Sequence, residues 1–171
     1  MMELSSSPPL RGSRCYIGLG SNLGDSLLTL RAAATRLAAL GEVVAASRLY
    51  ESDPIGYTDQ PAFLNAVLVM DTTLEPLDLL DRLQAIEAEF KRERGLRWGP
   101  RTLDLDLIAY GQTRLDGDRL TLPHPRAHER EFVLRPLAEL APDLSLAGST
   151  VAELLAGLAS QGVRLAAGSL M

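Results

Sequence analysis

The alternation of apolar and polar positions along the chain predicts four strands and four helices. Apolar residues two apart indicate half-buried strands, and apolar residues three or four apart indicate helices with one buried face. The strands predicted in this way are 14–19, 43–51, 63–71 and 103–110, and the predicted helices are 26–40, 73–92, 132–140 and one that begins at Thr150.

Local signals mark the ends of several of these elements. Gly41 is expected to stop the first helix, and Pro76 lies in the first turn of the second. Thr150 and Glu153 form a capping box at the start of the last helix. The apolar stripe of the second helix is predicted to contain Leu77, Leu80, Leu83, Ile86 or Ala85, and Phe90.

The order of the first six elements, strand–helix–strand–strand–helix–strand, predicts an α+β fold with an antiparallel or mixed sheet. A short hairpin through Gly111 and Gly117 is predicted to end near Leu122, and the pattern allows a terminal strand near 163–165. Whether a second layer of helices covers the other face of the sheet stays open on the pattern alone.

Composition indicates a soluble globular protein. The 171 residues are 46% hydrophobic and 23% charged, which fits one domain, and we expect it over 14–171 after a flexible tail, 1–13. The first residues lack the apolar core of a secretory signal, and no apolar run approaches the roughly 18 residues of a membrane span. One cysteine excludes an internal disulfide, and the net charge of −5 argues against binding to nucleic acid or anionic membranes. We therefore expect a cytoplasmic protein.

Two acids interrupt the apolar pattern of the last long strand. Asp104 and Asp106 alternate with leucines, so both carboxylates lie on one face, with α-carbons roughly 6–7 Å apart. One interpretation is a solvated face whose acids pair with arginines. The other is a metal site, because Asp is unfavourable in strands and no thiol or imidazole lies beside the pair. Carboxylates suit a hard cation such as Mg²⁺, and two of them can hold two ions.

Positive charge is concentrated directly before these acids. Residues 91–101 contain one lysine and four arginines against a single glutamate. Alone, such a segment is explained by a solvated loop. Arginine forks also bind phosphate oxygens in pairs, and together with metal-binding acids they predict phosphoryl transfer. Trp98, the only tryptophan, either packs on the core or stacks on a flat ligand.

Two further motifs have ordinary explanations. The glycines of GLGSNLGD, 18–25, do not have the spacing of a dinucleotide-binding fingerprint, and a tight strand-to-helix turn explains them. His124 and His128 are four apart, but Pro123 and Pro125 argue against a zinc-binding helix there. Beside arginines, these histidines are either anion contacts or part of an ordinary loop.

Four segments occur in the order YIGLGSNLGD, DQPAFLNAV, RWGPRTLDLDLIAYG and LPHPRAHEREFVL. Together they resemble the 6-hydroxymethyl-7,8-dihydropterin pyrophosphokinases of folate biosynthesis, over about 16–140. The resemblance implies transfer of pyrophosphate from the co-substrate ATP to the pterin, with release of AMP. It also implies a monomer with a ferredoxin-like core elaborated into an αβα sandwich, and two Mg²⁺ ions held by Asp104 and Asp106.

The resemblance also implies a pterin site. Asn65 matches an asparagine that hydrogen-bonds the pterin, while Phe63 and Phe132 match aromatic residues on its two sides. Backbone contacts are expected from Ser52, Asp53 and Ile55, although some relatives have Thr-Pro at 52–53. We also assign Trp98 to the pterin and ATP sites.

The nucleotide site follows from the same resemblance. Arg92 and Arg94 match arginines of a mobile loop, and Arg94 is expected to assist catalysis. Residues that match positions near the base, the ribose or the phosphates are Gln84, Glu87, Leu107, Arg119, Thr121, Arg94, Arg101, His124 and Arg130. Pro125 replaces a tyrosine of some members, which removes any contact from that side chain.

Other functions stay open from the residues themselves. A different Mg²⁺-dependent phosphoryl or nucleotidyl transferase would use the same acids and arginines on another acceptor. A non-catalytic ATP-binding ferredoxin-like domain would leave the paired acids unexplained. A dinucleotide-binding oxidoreductase would rest on the glycines of 18–24 alone.

Overall fold

An antiparallel sheet forms the centre of the molecule, with helices against both of its faces. The computed structural model describes residues 12–22, 24–54, 61–94 and 103–171, without the side chains of 92–94. The strands are β1 Ser13–Ser21, β2 Glu42–Ala46, β3 Arg48–Ser52, β4 Phe63–Thr72, β5 Asp104–Tyr110, β6 Leu115–Asp116, β7 Thr121–Leu122, β8 Ser145–Leu146, β9 Ser149–Thr150 and β10 Arg164–Ser169. The helices are α1 Ser26–Leu37, α2 Pro76–Arg94, α3 Glu131–Leu140 and α4 Val151–Ala156, with a 3-10 helix at Ala127–Glu129.

Within the described ranges, six strands form the central sheet in the order β10-β3-β4-β1-β5, and β2 also pairs with β4. Every pairing in it is antiparallel. The strands β3-β4-β1-β5 and the helices α1 and α2 give the predicted α+β fold with a ferredoxin-like core. In the described part of the chain no helix is long and apolar enough to cross a membrane.

The first face of the sheet packs on α1 and α2. Asp25 caps α1, because its carboxylate accepts the backbone N–H of Leu28 at 3.1 Å. In α2 the buried stripe begins at Leu79, whereas Leu77 is 45% exposed, so the prediction for Leu77 was wrong. The buried apolar residues of this layer include Ile17, Leu19, Leu30, Leu37, Leu79, Leu83, Ile86, Phe90, Leu105 and Leu107.

The second face packs on α3 and α4, which answers the question that the pattern left open. Val133, Leu134 and Leu137 of α3 are buried against Val67 and Ile108 of the sheet. The capping box of α4 forms as predicted: Thr150 accepts the backbone N–H of Glu153 at 3.1 Å, and Glu153 accepts that of Thr150 at 2.9 Å. The αβα sandwich is therefore confirmed.

Two local predictions differ from the structure. The predicted strand 43–51 is divided at Ser47, whose hydroxyl accepts the backbone N–H of Val67 at 2.9 Å in place of a regular strand contact. Helix α1 ends three residues before the predicted Leu40. Gly41 is needed for another reason: a Cβ there would lie 2.2 Å from the carbonyl oxygen of Asp71.

Of the predicted tail, 1–13, residues 1–11 lie outside the described residues. Strand β1 already begins at Ser13, which pairs with Thr72.

Candidate active site

The two acids of β5 lie on the face of the sheet that α3 covers. Leu105 and Leu107 point to the α1/α2 core, and the period of two directs Asp104 and Asp106 to the opposite face. Opposite them on β1 lie Gly20, paired with Asp104, and Gly18, paired with Asp106. Because neither glycine carries a side chain, space remains above the strand beside the carboxylates.

This space is part of a cavity of about 290 Å³ between the sheet and the start of α3. The cavity brings together the predicted pterin residues Ser52, Asp53, Phe63, Asn65 and Phe132 with the two acids and Arg130. These residues come from β3, β4, β5 and α3, so only the folded chain assembles them.

Asn65 is fixed at the floor of the cavity. Its side-chain nitrogen donates to the carbonyl oxygen of Tyr50 at 3.2 Å and to the hydroxyl of Ser52 at 2.9 Å. These bonds orient the amide so that its oxygen lies towards Gly20, where an added Cβ would approach it to 3.4 Å. The side chain is 5% exposed, so it presents an acceptor in a largely dry environment.

Aromatic and cationic groups form the walls. Phe63 and Phe132 are both half-buried, as expected for rings that border an open cavity. The guanidinium carbon of Arg130 lies 5.7 Å from the centre of the Phe132 ring, within the range of a cation–π contact. Arg130 immediately precedes the first residue of α3 and lines the cavity together with the two acids.

Asp53 contributes to the cavity differently from its neighbours. Its side chain is 67% exposed and lies against Arg164 of β10, with 3.3 Å between Oδ1 and Nη1. This geometry is compatible with the backbone contacts expected of Asp53.

Several predicted nucleotide residues lie near β5, which is an edge strand of the central sheet in the described ranges. Glu87 of α2 accepts the backbone N–H of Leu105 at 2.7 Å. Arg119 donates to Gln84 at 3.3 Å and to Asp81 at 2.6 Å. The backbone N–H of His124 donates to the carbonyl oxygen of Ile108 in β5 at 2.8 Å. The segment from Thr121 of β7 to His124 therefore lies beside β5.

The acids of β5 affect the charge of these neighbours. Burial raises the pKa of Glu87, and the charges of Asp104 and Asp106 add to this effect, whereas the N–H of Leu105 opposes it. Burial lowers the pKa of His124 below its ordinary 6.5; Asp106 opposes this change and Arg130 acts with it. His124 is therefore neutral at pH 7. Because its Nδ1 accepts the N–H of Arg126 at 3.1 Å, its proton lies on Nε2, a donor.

The remaining predicted residues are Leu107 and five that lie wholly or partly outside the described residues. The side chain of Leu107 is 3% exposed and belongs to the α1/α2 core, so only its backbone is left for a ligand. Arg92 and Arg94 belong to the last turn of α2, but their side chains are outside the described part. Ile55, Trp98 and Arg101 lie outside the described residues altogether.

The donors at the acids favour a hard cation. Across the described ranges, no three His, Cys, Asp or Glu side chains converge on one point. Two carboxylates alone, completed by phosphate oxygens and water, are a donor set that Mg²⁺ accepts.

Sequence reasoning missed the role of Gly18 and Gly20. We explained the glycines of 18–25 by a strand-to-helix turn and ended the predicted strand at residue 19, whereas Gly18 and Gly20 both lie inside β1 and face the cavity. The available signal was their alternation, because two glycines with a period of two in a strand empty one face of it. Gln161 and Arg164, which contact the outside of the site, were also missed.

Comparison with known proteins identifies the family of this chain. The family model described as 7,8-dihydro-6-hydroxymethylpterin-pyrophosphokinase (HPPK) matches residues 16–142. A 2-amino-4-hydroxy-6-hydroxymethyldihydropteridine pyrophosphokinase of Pseudomonas aeruginosa is 52% identical over 153 residues, covering 88% of this chain and 94% of the relative. One of Methylorubrum extorquens is 48% identical over 153 residues, covering 88% and 97%.

Solved structures agree at the level of the fold. Wild-type HPPK-DHPS of Plasmodium falciparum superposes with a TM-score of 0.69 at 16% identity, covering 88% of this chain. This chain spans 45% of that longer protein. With the match of the family model and the close relatives, the chain belongs to the 7,8-dihydro-6-hydroxymethylpterin-pyrophosphokinase family.

Proposed function

We propose that this chain transfers pyrophosphate from ATP to the hydroxymethyl oxygen of 6-hydroxymethyl-7,8-dihydropterin, releasing AMP, in folate biosynthesis. Membership of the pyrophosphokinase family supports the reaction and both substrates. One observation carries the proposal: a single cavity is lined by an amide and two phenylalanines as well as by two carboxylates. A flat hydrogen-bonding ring and a metal-bound phosphate suit this combination.

In this proposal the pterin ring lies between Phe63 and Phe132. The oxygen of Asn65 accepts an N–H of the ring, since the side-chain nitrogen is already engaged by Tyr50 and Ser52. Backbone groups of residues 52, 53 and 55 complete the polar contacts, and Trp98 is proposed to add a third flat surface. The ring is then recognised by shape and by hydrogen bonds in a site that excludes most water.

Asp104 and Asp106 would hold two Mg²⁺ ions. The all-carboxylate donor set and the open space above the paired glycines support this assignment. Bound there, Mg²⁺ would neutralise phosphate charge and polarise the reacting oxygens. The acids also direct the hydroxymethyl end of the pterin and the phosphates to the same side of the cavity.

The nucleotide would lie along β5. Gln84, Glu87, Arg119, Thr121 and the backbone at Leu107 are proposed to contact its base and ribose. The proposed phosphate ligands are Arg92, Arg94, Arg101, His124 and Arg130. His124 suits this role as a neutral donor through Nε2, since Nδ1 is already an acceptor.

The chemical step is an in-line displacement at the β-phosphorus of ATP. The hydroxymethyl oxygen of the pterin forms the new P–O bond and loses its proton, for which the carboxylate of Asp104 is the proposed acceptor. The bond from the β-phosphorus to the oxygen bridging the α-phosphate breaks, and AMP leaves with the electron pair. Arginines, Arg94 in particular, stabilise the charge that develops on that oxygen.

We further propose that the protein is a cytoplasmic monomer that binds neither nucleic acid nor membranes. The acidic net charge of −5 supports the absence of nucleic-acid binding.

Phosphorus NMR of ATP, Mg²⁺ and protein, recorded with and without the pterin, tests the proposal. AMP and a pterin diphosphate should appear only with the pterin. ADP in place of AMP would indicate another phosphoryl transferase. Binding of ATP without turnover would indicate a non-catalytic domain, and either result would overturn the proposal.

A further inference from the structure

The segment that leads into β10, including the first residue of that strand, contacts both walls of the cavity from outside. Residues 161–164, called the brace below, reach the start of α3, which carries Phe132, and the end of β3, which carries Ser52. None of the predicted substrate ligands belongs to the brace, and its side chains are exposed at residues 161 and 164. Its effect on the cavity must therefore act through the elements it holds.

Gln161 is joined to the start of α3 by three hydrogen bonds. Its Oε1 accepts the backbone N–H of Glu131 at 3.0 Å, and its own backbone N–H donates to the carboxylate of Glu131 at 2.7 Å. Its Nε2 donates to the carbonyl oxygen of Glu129 at 3.0 Å. These bonds lie on both sides of Arg130 and directly before Phe132, so they fix where the ring enters the cavity.

Glu131 adds a buried charge to this attachment. It is 3% exposed, and its second carboxylate oxygen accepts from Arg135 at 2.6 Å. Burial alone would raise the pKa of Glu131, but the N–H of Gln161 and the guanidinium of Arg135 outweigh it and lower this pKa. The carboxylate is therefore charged at neutral pH, and a buried charge needs these partners in place.

Arg164 holds the opposite wall. Its Nε donates to Glu51 at 3.2 Å, and its two terminal nitrogens each donate to Oδ1 of Asp53 at 3.3 Å. One of these nitrogens also donates to the carbonyl oxygen of Gly162 at 3.0 Å. Gly162 has a φ of +84°, which favours glycine and allows the turn between the two contacts.

We propose that Gln161 and Arg164 are positioning residues for the pterin, because they fix the start of α3 and the end of β3 relative to each other. The spacing between Phe132 and residues 52–53, on which a flat ring depends, is then set by the brace. This inference rests on the proposed function. An exposed ion pair contributes little to the free energy of unfolding. The proposed role of Arg164 is therefore to fix the position of the end of β3, not to stabilise the fold.

The test compares Arg164→Met and Gln161→Ala with a matched control, Arg36→Met. Arg36 is a half-buried arginine paired with Glu89 at 2.9 Å on the α1/α2 side, away from the cavity. In both brace variants the KM for the pterin should rise about tenfold, with the KM for ATP unchanged within about twofold. The midpoint of thermal unfolding should change by at most about 2 °C in Arg164→Met and by more in Gln161→Ala, which removes the acceptor of the Glu131 backbone N–H. The control should resemble the wild type in both constants.

Two further variants link the effect to the contacts. Arg164→Lys keeps the charge but loses the planar fork, so the rise in the pterin KM should be smaller. Asp53→Asn should raise the pterin KM. The double variant with Arg164→Met should have the same pterin KM as Arg164→Met alone, because both changes break the contact between Arg164 and Asp53.

An equal rise in both KM values, or additive effects of Asp53→Asn and Arg164→Met, would overturn the positioning role. Should Gln161→Ala fail to fold, the Arg164 series decides alone. Absence of AMP formation by the wild type would overturn the proposed function instead, so the two failures are distinguishable.

Discussion

The two faces of strands β1 and β5 have opposite compositions. Towards α1 and α2 they present Ile17, Leu19, Leu105 and Leu107, each at most 5% exposed. Towards α3, the alternate positions of the same two strands are Gly18, Gly20, Asp104 and Asp106. Since side chains alternate between faces, the face that stabilises the fold and the face that forms the site are specified independently within one stretch of sequence.

This separation explains why the sheet tolerates residues that strands disfavour. Two glycines and two aspartates weaken the intrinsic preference for a strand. The apolar residues between them are almost completely buried, and each contributes about 1.5–3 kcal/mol by leaving water. We therefore expect changes on one face to affect turnover and changes on the other to affect unfolding.

The largest expected effect is that of Asp106→Asn. The replacement keeps the shape but removes the negative charge, so metal-dependent turnover should fall on the order of a thousand-fold. The free energy of unfolding should change by less than about 0.5 kcal/mol, since repulsion from Asp104 is relieved. Turnover at saturating Mg²⁺ and urea denaturation measure the two quantities.

The matched control is Asp116→Asn, an exposed aspartate on β6. It should leave both quantities unchanged. Activity within threefold of the wild type in Asp106→Asn would remove the metal assignment.

Leu105→Ala tests the other face at the position between the two acids. Leu105 is 5% exposed in the α1/α2 core, so its truncation should lower the free energy of unfolding by about 2–5 kcal/mol. Turnover per folded molecule should fall far less than in Asp106→Asn. Denaturation and active-site titration give the two values, and a loss of turnover as large as that of Asp106→Asn would mean that the faces are not independent.

The sequence predicted those features whose causes are local. The period of two identified β5 and placed its acids on one face, and the capping box of Thr150 and Glu153 has the predicted form. Prediction was less accurate where packing decides among similar residues: Leu77 and Leu79 both fit a helical stripe, and only the position of the sheet selects Leu79. The role of Gly41 depends on β4, thirty residues away.

The site was predictable in part for the same reason. Its acids belong to one motif, and the resemblance supplied candidates from the other strands. The brace has no local pattern, because the contact of Arg164 with Asp53 joins residues 111 positions apart. Such contacts follow from the topology of the sheet, in which β10 pairs with β3.

Gly20→Val fills the emptied face without changing the core. A Cβ at this position meets the amide oxygen of Asn65 at 3.4 Å, so a branched side chain would enter the proposed pterin cavity. We expect the KM for the pterin to rise about tenfold or more. Stability should be unchanged or slightly higher, because glycine weakens a strand interior. Steady-state kinetics and thermal unfolding test this, and an unchanged pterin KM would show that Gly20 does not border the substrate.

The smallest expected effect concerns how α3 is attached to the sheet. Besides its apolar contacts with the sheet, α3 is held by Glu139, which accepts the backbone N–H and the guanidinium of Arg48, each at 3.1 Å, and the hydroxyl of Tyr50. Burial alone would raise the pKa of Glu139, but the bonds from Tyr50 and Arg48 together lower it below its ordinary 4.5. The carboxylate therefore contributes stability that is fully present above about pH 4.5 and is lost as the pH falls through the lower folded-state pKa.

Glu139→Gln removes this dependence. At pH 7 the variant should unfold about 0.5–1 kcal/mol more easily than the wild type, a small value because solvent screens the exposed Arg48. The difference should shrink on acidification to about pH 3, because the carboxylate of Glu139 takes up a proton as the pH falls through its lowered pKa. Urea denaturation of both proteins at the two pH values measures it. If the difference in unfolding free energy were the same at both pH values, the effect of Glu139 would come from packing rather than from its charge. The attachment of α3 would then be no more sensitive to acid than that of α1 and α2.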